Sequence, residues 1–123
     1  MQDIFIYDTG KGLPLVLVYG FLGSSDMWKP QINYFKKNYR VLAPALPRFG
    51  KSSKVKLCNT KECMAKTIID TLRTKKIDEF NLLGHSMGGM VAQKMIRLAG
   101  EKILKLICYR TGPTGNIQVD LKL

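Results

Sequence analysis

Short apolar runs alternate with longer amphipathic runs along this chain, a pattern typical of strands and helices in turn. Two of the short runs, Leu15 to Tyr19 and Ile103 to Tyr109, are almost continuously apolar, as expected of strands buried on both faces of a parallel sheet. Three others predict strands at Ile4 to Tyr7, Arg40 to Pro44 and Glu79 to Leu83. We therefore predict an α/β fold: a doubly wound, mostly parallel sheet flanked by helices, with an antiparallel strand at the Ile4 to Tyr7 edge.

Three segments repeat their apolar residues at helical spacing. The first begins near Trp28, after candidate N-caps at Ser24 to Asp26. The second follows Thr60, which we expect to cap it, and the third spans Met87 to Ala99 before a glycine. Between them, the stretch from Leu46 to Asn59 is rich in turn-forming residues and predicts a loop.

Composition narrows the class of protein. The chain has 123 residues, 46% of them hydrophobic, which is enough for one domain with a core. The longest apolar stretch is too short to span a bilayer as a helix, and the start of the chain lacks a secretory signal. Its three cysteines lack the spacing of a zinc site, so we expect no metal and reduced thiols in the cytoplasm: Cys58, Cys63 and Cys108.

The charge of the chain is strongly positive but spread along its length. Twenty Lys and Arg against nine Asp and Glu give +11 without a compact basic block, so we expect no nucleic-acid partner. Gly50, Lys51 and Ser52 resemble the end of a phosphate-binding loop. However, Pro47 removes a backbone donor from that loop and no helix pattern begins at Ser52, so we expect no nucleotide and no other cofactor.

The chemistry concentrates in one segment, Phe80 to Ala92, where a strand, a G-x-S-x-G sequence and a helix follow each other. A serine on so sharp a turn takes a strained backbone conformation, and side chains two positions away would collide with it. Gly84 and Gly88 have no side chains to collide, so the hydroxyl of Ser86 is pushed clear of the main chain. The start of the following helix also favours a negative charge beside Ser86.

Together with its neighbours, this segment resembles the α/β-hydrolase family. Leu15 to Ser25 resembles the family's strand and loop that hold the oxyanion, Tyr39 to Ser52 its next strand and turn, and Leu106 to Tyr109 the strand after the nucleophile helix. The resemblance covers nearly the whole chain. It implies a single domain over residues 1–123, of which this sequence would be the N-terminal part.

The resemblance also implies roles for individual residues. Ser86 would be the nucleophile on a nucleophile elbow, and the backbone N–H groups of Phe21 and Met87 would form the oxyanion hole. Trp28 and His85 would line or support the substrate pocket. The function implied is that of a serine esterase or related hydrolase, which acts on an ester, thioester, lactone or related acyl or carbon–carbon bond of a small apolar substrate.

Three departures from the family pattern bear on activity. Tyr19 stands where the family usually has His, and Ala45 and Arg48 replace the usual Asp and Gly of the next turn. Triad partners follow the nucleophile in the order Ser, acid, His, yet no histidine follows Ser86. The only histidine, His85, is its immediate neighbour, and adjacent side chains on such a turn diverge, so His85 is not expected to act as the base.

The absence of the second half of the domain explains the missing triad residues better than the decay of a once-active enzyme does. A strand apolar on both faces needs neighbours on both sides, and no long strand pattern follows Ile103 to Tyr109. We therefore expect the chain to be inactive on its own and to associate through this edge of the sheet. The alternative is a non-catalytic binding or interaction protein with the same fold.

Overall fold

Five strands and three helices alternate along the computed structural model, which describes residues 4–18, 29–44, 60–85 and 87–109. A short 3₁₀ turn at Gly100–Lys102 joins the last helix to the last strand. The elements in chain order are β1 (Ile6–Thr9), β2 (Leu13–Val18), α1 (Lys29–Phe35), β3 (Tyr39–Pro44), α2 (Lys61–Thr74), β4 (Phe80–His85), α3 (Met87–Ala99) and β5 (Ile103–Tyr109).

The strands form a single mixed sheet in the order β1-β3-β2-β4-β5. Strands β2 to β5 are parallel, and β1 pairs antiparallel with β3. The predicted fold class, with four parallel strands and an antiparallel edge, is confirmed. The edge strand lies two residues later than predicted, because its pairing with β3 runs from Ile6 opposite Pro44 to Thr9 opposite Val41.

The helices cover the two faces of the sheet unequally. Helices α2 and α3 pack together on one face, the α2–α3 face, over buried residues that include Val16, Leu82 and Met95. Helix α1 packs on the opposite face, the α1 face, where Ile32 contacts a smaller cluster around Leu17. Because strand side chains alternate between faces, the continuously apolar β2 serves both clusters, as its sequence predicted.

Local signals in the sequence place two helices accurately. Thr60 is the N-cap of α2, and its hydroxyl accepts a hydrogen bond of 3.0 Å from the backbone N–H of Cys63. Helix α3 has the predicted bounds, Met87–Ala99. The candidate caps at Ser24 to Asp26 and the predicted loop from Leu46 to Asn59 lie outside the described residues.

Two expectations need correction. Strand β5 was expected to be buried on both faces, but Ile107 is 52% exposed, because no described strand lies beyond β5 and no described helix covers this part of the α1 face. We also expected three reduced cysteines. Cys63 is instead disulfide-bonded, whereas Cys108 is a free thiol.

No helix in the described part of the chain is both long enough and apolar enough to cross a bilayer.

A charged contact fastens the antiparallel edge to the parallel sheet. Arg40 on β3 donates two hydrogen bonds to the carboxylate of Asp8 on β1, from Nε at 2.9 Å and from Nη2 at 2.7 Å. Lys75, just after α2, lies 3.4 Å from the same carboxylate. Bidentate hydrogen bonds between a guanidinium and a carboxylate are among the stronger ones in proteins. The Arg40 guanidinium lowers the pKa of the Asp8 carboxyl from its usual value.

We expect Asp8→Asn to lower the free energy of unfolding at pH 7 by about 1 kcal/mol, a modest value because both side chains are partly in solvent. A lowered pKa in the folded state stabilises the protein at pH values above the ordinary aspartate pKa of about 3.9. This stabilisation is lost as pH falls through the folded-state pKa, so the difference between variant and parent should vanish in acid. Urea denaturation at a series of pH values measures it.

The matched control is Asp70→Asn, because among the described residues the Asp70 carboxylate pairs only with Arg73, at 3.3 Å, and the Arg73 side chain is 65% exposed. We expect no measurable change in that variant. An equal loss in both variants, or a loss in Asp8→Asn that does not diminish as pH falls, would contradict the role given to the contact between Asp8 and Arg40.

Candidate active site

The chain adds successive strands first on one side of β2 and then on the other, so the topology of the sheet switches between β2 and β4. From β2 the chain moves to β3 on one side, and it then returns to β4 on the other side. Val18, at the end of β2, lies opposite Gly84, near the end of β4. In open α/β sheets, ligands bind outside the carboxyl ends of the strands at such a switch point. The structure therefore indicates a site at this edge.

Two of the predicted functional segments begin at this switch point. The segment that carries Phe21 follows Val18, and Ser86 follows His85 at the end of β4. Phe21, Trp28 and Ser86 themselves lie outside the described residues, whereas Gly84, His85, Met87 and Gly88 are described. The strand ends thus bring the beginnings of both segments to one edge of the sheet.

The connection from β4 to α3 is shorter than the sequence predicted, because β4 continues to His85 and does not end at Leu83. Strand β4 ends at His85 and α3 begins at Met87, so Ser86 alone joins the two elements. A connection of one residue forces an abrupt change of direction between strand and helix. This is the arrangement in which a side chain at the joining position is directed away from both elements.

Gly84 is required by the close approach of β4 to α3. A Cβ atom at residue 84 would lie 2.6 Å from the Cα of Gly89 and 2.8 Å from the backbone oxygen of Gly88. It would also lie 3.0 Å from the Cβ of Ala92. Backbone atoms cannot move aside cheaply, so only glycine permits this contact.

Gly89 was not among the residues singled out in the sequence, although it is the nearest neighbour of Gly84 across the contact. Its backbone oxygen accepts a hydrogen bond of 3.0 Å from Nε2 of Gln93, and Sγ of Cys108 lies 4.0 Å from the same oxygen. Both glycines of the first turn, Gly88 and Gly89, are buried. The sequence did contain a signal for Gly89, because it is the second glycine of a Gly-Gly pair at the start of a predicted helix.

The first turn of α3 offers unpaired donors. In any α-helix the first four N–H groups have no acceptor within the helix, and here they begin at Met87. The first turn contains no acidic residue that would compete for them. Met87 itself is half-buried and packs against the core of the α2–α3 face. A negative charge that develops beside residue 86 would therefore be stabilised by these N–H groups and the helix dipole.

His85 lies on the other side of β4 from α3. Side chains along a strand alternate, which places His85 on the α1 face with Asn81 and Leu83, while Gly84 faces α3. The residue is half-buried and pairs in register with Tyr109 of β5. This position fits the expected supporting role better than that of a base for Ser86.

Cys108 is the one free thiol in the described part of the chain, and it lies in register with Gly84. Burial raises the pKa of the Cys108 thiol from its ordinary value. The thiol therefore stays protonated at neutral pH, and a protonated thiol is a poor nucleophile. Among the described residues, no group of three His, Cys, Asp or Glu side chains could hold a metal ion.

Comparisons with known proteins agree with this geometry. Residues 14–120 match the family model described as alpha/beta hydrolase fold. The chain is 32% identical over 119 residues to a pimeloyl-[acyl-carrier protein] methyl ester esterase of Legionella pneumophila, covering 97% of this chain and 46% of that protein. It is also 30% identical over 100 residues to the esterase YbfF of Escherichia coli, covering 81% and 39%.

Among solved structures, a thermophilic esterase from Thermogutta terrifontis superposes with a TM-score of 0.83 at 34% identity, covering 89% of this chain and 40% of that one. The chain therefore spans less than half the length of these three proteins.

We expect Gly84→Ala to lower the free energy of unfolding by about 1–3 kcal/mol, the usual cost of forcing extra atoms into a packed core. The expected cause is the collision with the backbone of Gly88 and Gly89. Thermal or urea denaturation monitored by circular dichroism measures the loss.

Gly100→Ala is the matched control, because the nearest atom to a Cβ at residue 100 is a side-chain carbon of Ile96 at 3.7 Å, an ordinary contact. That variant should stay within about 0.5 kcal/mol of the parent. If both variants had the same stability, the close approach of β4 to α3 would not be a real constraint on this fold.

Proposed function

Because this chain belongs to the alpha/beta hydrolase fold family, we propose that it carries the nucleophile half of a serine hydrolase active site. The reaction is hydrolysis of an ester, thioester, lactone or related acyl or carbon–carbon bond in a small apolar substrate. Ser86 is the nucleophile of this proposal. The observation that carries the proposal is the connection between β4 and α3, one residue long and placed at the switch point of the sheet.

The proposed first step is attack by Oγ of Ser86 on the substrate carbonyl carbon. The carbonyl oxygen becomes negative and accepts hydrogen bonds from the backbone N–H groups of Met87 and Phe21. The position of Met87 at the start of α3 supports its part in this oxyanion hole. Collapse of the intermediate expels the alcohol or thiol with a proton, and water then releases the acid and restores the serine hydroxyl.

A base must remove the proton from Ser86, because a serine hydroxyl is a weak nucleophile at its free pKa. His85 is the only histidine of the chain, and it lies on the α1 face of β4, away from α3. We therefore propose that the acid and the histidine of the triad are supplied from outside these 123 residues. Without them the chain would retain only the contribution of the oxyanion donors and of substrate binding.

The substrate class follows from the relatives and from the apolar residues expected around the site. Two relatives are esterases by name, one of which acts on a methyl ester of an acyl group held on a carrier protein. Trp28 and His85 are proposed to line the pocket. The reaction requires no cofactor, and we propose a cytoplasmic location and a small-molecule substrate.

A non-catalytic role remains the second candidate, and one observation favours it: the sequence has no histidine after Ser86. In that case the edge of the sheet at the switch point would bind a ligand without turning it over. Reactivity of Ser86 separates the two functions.

The test uses the whole 123-residue chain fused to the stretch of the Legionella esterase that follows its matched region, which would supply an acid and a histidine. We expect this fusion to react with a fluorophosphonate probe and to hydrolyse p-nitrophenyl butyrate. Ser86→Ala should remove the labelling and lower kcat by about 10⁴-fold or more. The unfused chain should label far more slowly.

Ser53→Ala serves as the control, because it removes a serine to which the proposal gives no role, and it should leave labelling unchanged. Mass spectrometry of the labelled peptide identifies the modified residue. A folded fusion that does not react, or one whose labelling survives Ser86→Ala, would reject the serine mechanism and favour the binding role.

A further inference from the structure

The carbonyl oxygen of Gly89 collects more hydrogen-bond donors than its place in α3 requires. As in any α-helix, the backbone N–H four residues later, that of Gln93, is directed at it. The side chain of the same residue adds a second bond, from Nε2 at 3.0 Å. Sγ of Cys108, on β5, lies 4.0 Å from the same oxygen. Two elements of the fold therefore hold one carbonyl group in the first turn of α3.

This first turn has little rigidity of its own. Gly88 and Gly89 follow each other in it, and glycine loses more conformational freedom on folding than any other residue. Neither glycine has a side chain that could pack against the sheet. The close approach of Gly84 to both of them leaves no room for one at this contact. Fixing the turn therefore depends on side chains from outside it, and Gln93 is placed to do so.

The bond from the Gln93 amide is not needed to pair the backbone. The helix already supplies the Gly89 oxygen with a backbone donor, and the amide uses the second lone pair of that oxygen. The side chain of Gln93 is half-buried and reaches back one turn toward the start of its helix. Burial raises the pKa of the Cys108 thiol, so this group too keeps the proton that a donor needs.

Backbone hydrogen bonds connect the Gly89 carbonyl to the start of the helix. This carbonyl shares a peptide group with the N–H of Met90, and a helical N–H at position 90 is directed at the carbonyl of residue 86. The carbonyl of residue 86 shares a peptide group with the N–H of Met87, the proposed oxyanion donor. Hydrogen bonds in such a chain polarise one another, so a donor at the Gly89 oxygen strengthens the N–H of Met87 as a donor.

We propose that Gln93 is a positioning residue of the oxyanion hole. Its amide, with the weaker Cys108 thiol, fixes the glycine turn at the Gly89 carbonyl and polarises the N–H of Met87 without touching the substrate. This inference rests on the proposed function, which assigns the N–H of Met87 to the oxyanion. The contribution of Gln93 appears when the substrate oxygen becomes negative, and therefore in kcat and not in KM.

The test replaces Gln93 in the fusion of the whole chain with the Legionella stretch. Gln93→Met keeps an unbranched side chain that favours helix but removes the donor. We expect kcat for p-nitrophenyl butyrate to fall about tenfold at unchanged KM, less than the loss of about 10²–10³-fold for a direct oxyanion donor. The affinity for an arylboronic acid, which imitates the oxyanion, should fall by the same factor.

A second measurement uses the unfused 123-residue chain and does not depend on turnover. In Gln93→Met the amide protons of Met87 and Met90 should exchange faster with solvent. Their NMR signals should also move upfield, because both groups lose polarisation. Circular dichroism verifies that the variant is folded.

Lys94→Met is the matched control. Lys94 is the next residue of α3 and is also half-buried, but its amine pairs with Glu62 of α2 at 3.2 Å, away from the Gly89 oxygen. This variant should leave kcat, the boronate affinity and the Met87 and Met90 signals unchanged.

Three results would overturn the inference while the serine mechanism stands: equal losses in Gln93→Met and Lys94→Met, a loss confined to KM, or a Gln93→Met fusion with the kcat of the parent. A parent fusion in which Ser86 is not labelled would overturn the proposed function and this inference with it.

Discussion

The structure depends on a close contact between the backbones of β4 and α3, at which no side chain fits. Gly84 on β4 approaches Gly88 and Gly89 on α3 so closely that a single added carbon would lie 2.6 Å from a backbone atom. Because strand and helix meet at this distance, one residue suffices to join them, and that residue stands at the carboxyl edge of the sheet. The switch point between β2 and β4 brings the end of β2, after which the proposed oxyanion segment begins, to the same edge. The proposed chemistry depends on this approach.

Short-range signals in the sequence predicted the elements well. Thr60 caps α2 as expected because its hydroxyl meets the N–H of a residue three positions later, a contact that the local sequence alone determines. Helix α3 begins as predicted because the G-x-S-x-G sequence marks the change from strand to helix, and it ends as predicted because Gly100 follows its apolar pattern. The apolar run of β2 predicted burial on both faces, and the two core clusters show why such a run is needed.

Long-range relations could not be derived from the same patterns. The order of the strands depends on which strands pair, and the hydrophobic periodicity of a strand does not show which strand is its partner. Hydrophobic periodicity likewise does not show that Gly89 contacts Gly84 across the fold. Nor does it show that Cys63 is disulfide-bonded, although the sequence predicted a reduced thiol there. The pattern of β5 predicted a doubly buried strand. Ile107 is instead exposed, because no described strand lies beyond β5.

The most direct measurement of the central claim is a crystal structure of the fusion protein with an arylboronic acid bound at the site. The account predicts a covalent bond from boron to Oγ of Ser86. It also predicts a boronate oxygen about 2.7–3.1 Å from the backbone nitrogens of Met87 and Phe21. A boronate attached elsewhere, or a Ser86 side chain turned away from the edge of the sheet between β2 and β4, would contradict it.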